Sequence, residues 1–378
     1  MHGEKRLTEN QKAHPAHIEL AKVFGSRYLL GPPLSEKSIR LIAHLFTPEE
    51  AELARHLPFY YPRPAEKIAR KLGRPVEAIQ PLLDAMSKKR VILHLRGGYS
   101  LLPLIPGIFE YSLINGSDSE WHRRFAYLIN DLFATGFSGR YSTPGKHPAL
   151  RPVPVQKTIE TKSQAVDADL MSELIDRHSE LAVANVCQCR QSMHFTGHEC
   201  KRSSPRDGCL IFGSFARGAV QRGDARSVSK DEMRDIVVER WEKKLLFWTL
   251  NVAPENPTAI CTCCECCCHF IESVNKFNGR HTIAAPHFLA AVDQTLCTDC
   301  GKCVKACNTY AHTLQNKKHG FDQAKCLGCG LCVDSCSENA ISMVLNPAYK
   351  PPSRGFKTMG LKYLTSSSWT GFKSRFAR

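Results

Sequence analysis

The sequence predicts an α+β chain assembled from segments of different character, and three observations carry that prediction. An amphipathic helical front closes on a Gly97-Gly98 turn between two short apolar runs. A middle stretch leads apolar, strand-like runs into cysteines with helical patterns between them, and reads as an α/β unit. The C-terminal part carries one cysteine pattern twice. Cys297, Cys300, Cys303 and Cys307 are followed 29 residues on by Cys326, Cys329, Cys332 and Cys336, both runs reading C-x₂-C-x₂-C-x₃-C. A duplication of this kind marks one supersecondary unit used twice.

Residues 1–34 read as an N-terminal arm, broken at His14-Pro15 and Gly31-Pro32-Pro33, with a short helical piece around Ile18 to Phe24. Residues 35–105 carry four helical patterns. Ser35 caps a helix running to Phe46, and Thr47-Pro48-Glu49-Glu50 is a capping box with Pro at the first helical position. Ala65 to Leu72 is stopped by Gly73, and Pro75 opens a fourth helix to about Lys89. Val91 to Leu95 and Tyr99 to Leu102 flank the Gly-Gly turn as a hairpin. Helices followed by such a hairpin resemble a winged-helix domain. That resemblance would make the helix from Pro75 a DNA reader, but it offers Glu77, Gln80 and Asp84, and Pro81 breaks its hydrogen-bond ladder. Phosphate repels those carboxylates, so a protein-docking module is expected and nucleic acid is not an expected partner.

Residues 106–154 add a helix around Trp121 to Phe133, with Phe125, Leu128, Ile129 and Leu132 on one face, and then a connector rich in Pro and Gly. Residues 155–285 form the cysteine-rich unit. A helix is expected over Asp167 to His178, and a strand over Leu181 to Val186 delivers Cys187 and Cys189. A long helix is expected from Ser229 to Asn251. Pro257 to Ile260 then leads into Cys261, Cys263, Cys264, Cys266, Cys267 and Cys268. Two neighbouring strand ends are expected here, the place where open α/β sheets put ligands. Cys187, Cys189, Cys200 and Cys209 make one candidate cluster set. The competing reading is a structural zinc, to which His194 or His198 would contribute. In the 261–268 run two three-residue registers interleave: Cys261, Cys264 and Cys267, and Cys263, Cys266 and His269. Three or four of its six cysteines are expected to ligate a further cluster. Glu265 stands where c-type haem attachment through C-x-x-C-H would need cysteine.

In residues 286–345 three thiolates at i, i+3 and i+6 on a tight loop reach three irons of one cubane, with Gly301 and Gly330 supplying the turn. The stretch from Asp293 to Val344 resembles a bacterial two-[4Fe–4S] ferredoxin domain. The resemblance implies Cys297, Cys300, Cys303 and Cys336 around one cluster, and Cys326, Cys329, Cys332 and Cys307 around the other. It departs from the family at Asn308 and Ser337, where Pro usually follows the fourth cysteine. With C-x₂-C also suiting zinc, a pair of zinc knuckles is the competing reading. The V-C-x-C-R segment, the C-x-C-C-x-C-C-C segment and the C-terminal repeat together resemble a group of multi-cluster iron–sulfur proteins of anaerobic bacteria.

The tail, 346–378, has no acidic residue and sets Phe356, Tyr363, Trp369, Phe372 and Phe376 among basic ones. It is expected to dock on a partner, with packing onto its own domain as the alternative. The formal net charge of +15 suits an acidic protein, DNA or an anionic membrane. Eighteen cysteines without a secretory leader point to metal rather than disulfides, to a cytoplasmic setting and to an oxygen-poor cell. No apolar run is long enough to span a bilayer. No G-x-G-x-x-G follows a strand, and no catalytic triad or paired-carboxylate site is recognisable. The expected function is a non-catalytic electron-transfer subunit of a larger oxidoreductase complex. It relays electrons through three or four [4Fe–4S] clusters between partner redox subunits, a flavoprotein or a metal-containing reductase, in a hetero-oligomer. The alternatives are a redox-sensing transcription regulator and a self-contained reductase acting at an open iron site in 187–268.

Overall fold

Helix signals in the front of the chain act as their residue types dictate. The computed structural model describes residues 14–26, 29, 31–59, 61–137, 148–155, 171–256 and 258–362. Residues up to Ser112, with Glu120–Leu132, make one compact unit; Leu113–Ser119 with the chain from Phe133 make a second. In the first, α1 (Pro15–Phe24), α2 (Glu36–Leu45), α3 (Pro48–Ala54), α4 (Ala65–Leu72) and α5 (Val76–Lys88) precede a hairpin of β1 (Leu93–Leu95) and β2 (Gly98–Ser100). α6 (Phe109–Leu113) and α7 (Glu120–Phe133) follow in the chain. Thr47 Oγ1 accepts from the Glu50 amide at 3.2 Å, and the Glu50 carboxylate accepts from the Thr47 amide at 2.7 Å. Glu50 is buried, and Lys89 at the end of α5 meets its charge, as a buried carboxylate requires. The expected arm instead supplies α1, whose Leu20 and Phe24 are buried where it packs on α2 and α3. Residues 1–13 of that arm lie outside the described residues. Phe125, Leu128, Ile129 and Leu132 of α7 are all buried, as the pattern predicts.

The cysteine-rich region follows as β3 (Leu150–Pro152), α8 (Met171–Arg177), β4 (Leu181–Ala184), α9 (Gln188–Phe195), β5 (Leu210–Phe212), α10 (Ser214–Gln221), β6 (Ala225–Ser227), α11 (Lys230–Glu242), β7 (Leu246–Leu250), β8 (Thr258–Cys263) and α12 (His269–Lys276). Six strands form one sheet in the order β3-β7-β8-β5-β4-β6, every pair antiparallel. Helices cover both faces. Leu181 and Val183 join Met233, Val237 and Trp241 on one side, while Ala182 and Ala184 join Ala216 and Ala219 on the other.

Two expectations are corrected here. The unit is not an α/β sheet with the two cysteine-bearing strands side by side, because β5 lies between β4 and β8. Since β5 runs antiparallel to both, the C-terminal ends of β4 and β8 and the N-terminal start of β5 share one edge of the sheet. That edge carries Cys187 and Cys189, Cys209, and Cys261 and Cys263. The helix expected through Asn251 ends at Glu242. Lys244 adopts the left-handed region at φ 56°, and Leu246-Phe247-Trp248-Thr249-Leu250 becomes β7. The aromatic run alternates between two cores: Phe247 faces Leu210 and Trp241, while Leu246 and Trp248 face Ile271 and Leu327.

The C-terminal repeat comprises β9 (Phe288–Val292), α13 (Lys302–Ala306), β10 (His312–Gln315), β11 (Lys318–Phe321), α14 (Leu331–Asp334) and β12 (Ile341–Leu345). β9 pairs with β12 and β10 with β11, both antiparallel. Gly301 and Gly330 open α13 and α14 at φ 72° and 84°. The repeat is docked on the cysteine-rich region. Lys244 pairs with Asp334 at 2.7 Å, and Arg202 donates to the Lys305 carbonyl at 2.9 Å. Beyond it, the Asn346 amide group donates to the buried Pro286 carbonyl at 2.8 Å, and His287 stacks on Tyr349. Ser353 bridges Val252, and Phe356 stacks on Phe215. The described part of the tail therefore packs on its own unit, against the docking preference; Tyr363, Trp369, Phe372 and Phe376 lie outside the described residues.

Asn308, which stands where the ferredoxin pattern has Pro, is buried and ties the repeat down. Its Nδ2 donates to the Lys244 carbonyl at 2.9 Å, its Oδ1 accepts from the Glu265 amide at 3.2 Å, and its carbonyl accepts from Asn275 at 3.0 Å. Asn308→Ala leaves two part-buried backbone groups without partners and should cost about 2–6 kcal/mol, taking roughly 1–3 for each. Denaturant unfolding of the metal-loaded full chain, wild type against variant, measures it.

Candidate metal centres

Two pockets open within the repeat. One is lined by Cys307, Cys326, Cys329 and Cys332, the other by Cys297, Cys300, Cys303 and Cys336. Each draws three cysteines from one run and the fourth from the other. Amides turn toward the sulfurs: Ala311 N–H donates to Cys307 Sγ at 3.3 Å and Gly328 N–H to Cys326 Sγ at 3.4 Å. Such donors suit thiolates that share charge with iron. Burial pushes the Cys303 thiol up to about 11 and the Cys329 thiol up to about 12. Near neutral pH these groups hold protons that a metal must displace. The residues fit [4Fe–4S] clusters in ligand type, number and donors. The two pockets share a core in which Cys303, Cys326 and Cys332 are buried. Cys300 is exposed, so one pocket reaches the surface.

A pair of histidines lies between the pockets, and nothing in the sequence pattern points to it. His312 lines one pocket and His319 the other, with Nδ1 of the first 2.9 Å from Nε2 of the second across the β10–β11 hairpin. Burial and the neighbouring His319 lower His312 to about 4, which leaves it neutral at ordinary pH.

The ten remaining cysteines fall into two groups that differ from the expected sets. Cys200 does not sit with Cys187, Cys189 and Cys209. Its sulfur is 3.5 Å from Cys264 and 3.7 Å from Cys266, and Cys266 is 3.7 Å from Cys267. The other six form a second group: Cys209 lies 3.7 Å from Cys261, Cys268 hydrogen-bonds to Cys189 and Cys263, and Cys187 lies close enough to Cys261 and Cys268 to feel their charge. The three-residue registers fail because Cys261 and Cys263 belong to β8. A strand has period two, which puts both on one side. The chain then turns, directing Cys264, Cys266 and Cys267 to Cys200, and Cys268 returns as the residue before α12. His194 pairs instead with Glu199 at 2.7 Å on the surface.

Both groups surround one cation. Arg190, on α9, is 1% exposed. It donates to the carbonyls of Asp207, at 2.9 Å, and Thr262. Its Nε has no hydrogen-bond partner among the protein atoms. Burial opposes its charge, but the sulfurs of Cys187, Cys264, Cys263 and Cys200 outweigh burial and raise its pKa. A second buried arginine, Arg240, donates to the carbonyls of Asp207 and Gly208 at 2.9 and 3.1 Å. Both fix the loop between Cys200 and Cys209. Trp248 donates its indole N–H to Cys263 Sγ at 3.2 Å in a buried setting. Orphaned donors and a buried cation suit an anionic metal–thiolate group.

Trp248→Phe keeps an aromatic ring in the core, at the cost of a smaller volume, and removes one donor from the sulfur. A hydrogen bond to sulfur favours the more negative, reduced state, so the variant's centre should have a midpoint potential lower by the order of tens of millivolts. Redox titration followed by electron paramagnetic resonance reads the shift, with the clusters of the C-terminal repeat as an internal reference.

Comparison with known proteins agrees with this geometry at the C-terminal end. Residues 296–340 match the family model of the 4Fe-4S dicluster domain. Neither a search of curated proteins nor one of solved structures finds a match to the chain. Among the described residues no helix is long and apolar enough to cross a membrane. The chain is thus an iron–sulfur protein with multiple [4Fe–4S] clusters, two of them in a C-terminal 4Fe-4S dicluster domain.

Proposed function

We propose that the chain is an electron-transfer subunit of a larger oxidoreductase complex, relaying electrons between partner redox subunits. In this reading Cys297, Cys300, Cys303 and Cys336 hold one cluster, and Cys326, Cys329, Cys332 and Cys307 the second. Four of Cys187, Cys189, Cys209, Cys261, Cys263 and Cys268 hold a third. A [4Fe–4S] cluster, when bound, takes up and gives back one electron at a potential set by burial, charge and hydrogen bonds to sulfur.

One observation carries the reading: the packing is continuous from the six-cysteine group to the surface. Cys329 packs into the core that contains Cys263 and Cys268, with Trp248 and Leu327 between the strands. Cys307, Cys326 and Cys332 in turn share a core with Cys303 and Cys336. The side chains exclude water along this line and keep the sites close, and Cys300 supplies an exposed end. The winged-helix-like front is proposed as a docking module. Gln80 and Asp84, which a DNA-reading helix would turn outward, are engaged with the Tyr99 hydroxyl, each at 2.8 Å.

Native full-length protein isolated anaerobically should co-purify with a redox partner and pass electrons to it. Cys329→Ser should remove about four irons and slow that delivery at least tenfold while partner capture persists. A protein that isolates without any redox partner and gives a salt-sensitive, sequence-specific shift of DNA would overturn the reading in favour of a regulator.

A further inference from the structure

Among the described residues, Cys200, Cys264, Cys266 and Cys267 are the set of four cysteines whose sulfurs all lie within reach of a single ion; the six-cysteine group has close pairs, such as Cys209 and Cys261 at 3.7 Å, but no such set. All four fall within 4.8 Å of one another, and the contacts at 3.5, 3.7 and 3.7 Å link all four. Four thiolates bonded at about 2.3 Å to one tetrahedral ion sit about 3.8 Å apart. A cubane instead holds each thiolate on its own iron, with the body of the cluster between them. Sulfurs around a cubane therefore stand wider apart and enclose a pocket, as those of the C-terminal repeat do. We propose that Cys200, Cys264, Cys266 and Cys267 bind a single tetrahedral ion of a thiophilic metal, zinc or iron(II), and not a cluster.

The surroundings are built for such a site. Cys264 and Cys267 are buried against Leu245, with Met193 beside them. The loop carrying Cys200 is clamped to the turn carrying the other three by a two-pronged ion pair. Arg202 donates to the Glu265 carboxylate at 2.6 and 3.0 Å, and both side chains are mostly buried. The ligands are therefore brought together by a contact that needs no metal, and little order remains for the ion to impose. Four thiolates around a divalent ion carry two net negative charges, and buried Arg190 lies beside Cys200 and Cys264 to offset them. The ion's place is also informative. Glu265, inside the ligand turn, donates its amide to Asn308, the residue following Cys307. The ion thus rigidifies the surface on which the dicluster domain sits.

The composition of wild-type, full-length protein isolated anaerobically decides the question. Cubanes contribute iron and acid-labile sulfide in equal numbers, so a single ion makes zinc plus iron exceed sulfide by about one per chain. If the ion is zinc, X-ray absorption at its edge shows four sulfurs at about 2.3 Å. If it is iron, that excess is in iron and the protein is zinc-free. The double variant Cys200→Ser/Cys266→Ser should lose that one metal atom and keep its sulfide. Metal equal to sulfide in the wild type overturns the proposal, as does a variant that loses iron and sulfide together. The wild-type count stands as a test even where the variant fails to fold.

Discussion

A buried cation is the constraint on which the cysteine-rich unit depends. Gathering ten thiols at one sheet edge creates a site that becomes strongly negative once metal displaces their protons, in a place shielded from water. Arg190 answers that charge from inside. It sits among Cys187 and Cys263 of one group and Cys200 and Cys264 of the other, so a single guanidinium serves both. A cation so deep is costly unless paired and hydrogen-bonded. The carbonyls of Asp207 and Thr262 supply part of that, and the sulfurs the rest. Asp207 is held in turn. Burial disfavours its carboxylate, yet Lys243, Ser203 and Arg240 lower it to about 2. Charge, loop and metal ligands form one interdependent arrangement.

The parts of this arrangement that were legible in the sequence are those fixed by local spacing. The doubled C-x₂-C-x₂-C-x₃-C run foretells pockets that cross between repeats, because the fourth cysteine of each run must leave along the chain direction of a short helix. Capping boxes at Ser35 and Thr47 set helix starts for the same local reason. The partition of the other ten cysteines was not legible, because it follows from strand order. Nothing within 181–212 announces that β5 will insert between β4 and β8. Nothing in the 261–268 run says where the strand stops and the turn begins, and that boundary decides which sulfur joins which group. Leu246 to Leu250 failed for a related reason: a short apolar run beside a helix continues it in pattern, and only the left-handed Lys244 breaks it.

Asn308 shows how a departure from a family pattern acquires a use. A proline there has no amide side chain, and could make neither the bond to Lys244 nor the one from Glu265. With asparagine, the residue next to Cys307 becomes the joint between the dicluster domain and the six-stranded sheet. Ser337, at the equivalent place in the second repeat, is exposed and bonds to Lys302 and Glu338. The duplicated unit is therefore asymmetric in its contacts, one half facing inward and the other outward.

That asymmetry gives the line of cysteines a direction. The pocket lined by Cys307, Cys326, Cys329 and Cys332 also takes Leu246 of the sheet into its wall, while the pocket of Cys300 takes only residues of the repeat. Burial disfavours added negative charge, and nearby cations and N–H donors favour it. The inner group has Arg190 and the Trp248 indole to set against its depth. The outer one has solvent, and a wall in which Lys302 stands with Asp299 and Glu338. Cys300 stands at the exposed end of this line, while Cys303, Cys326 and Cys332 behind it are buried.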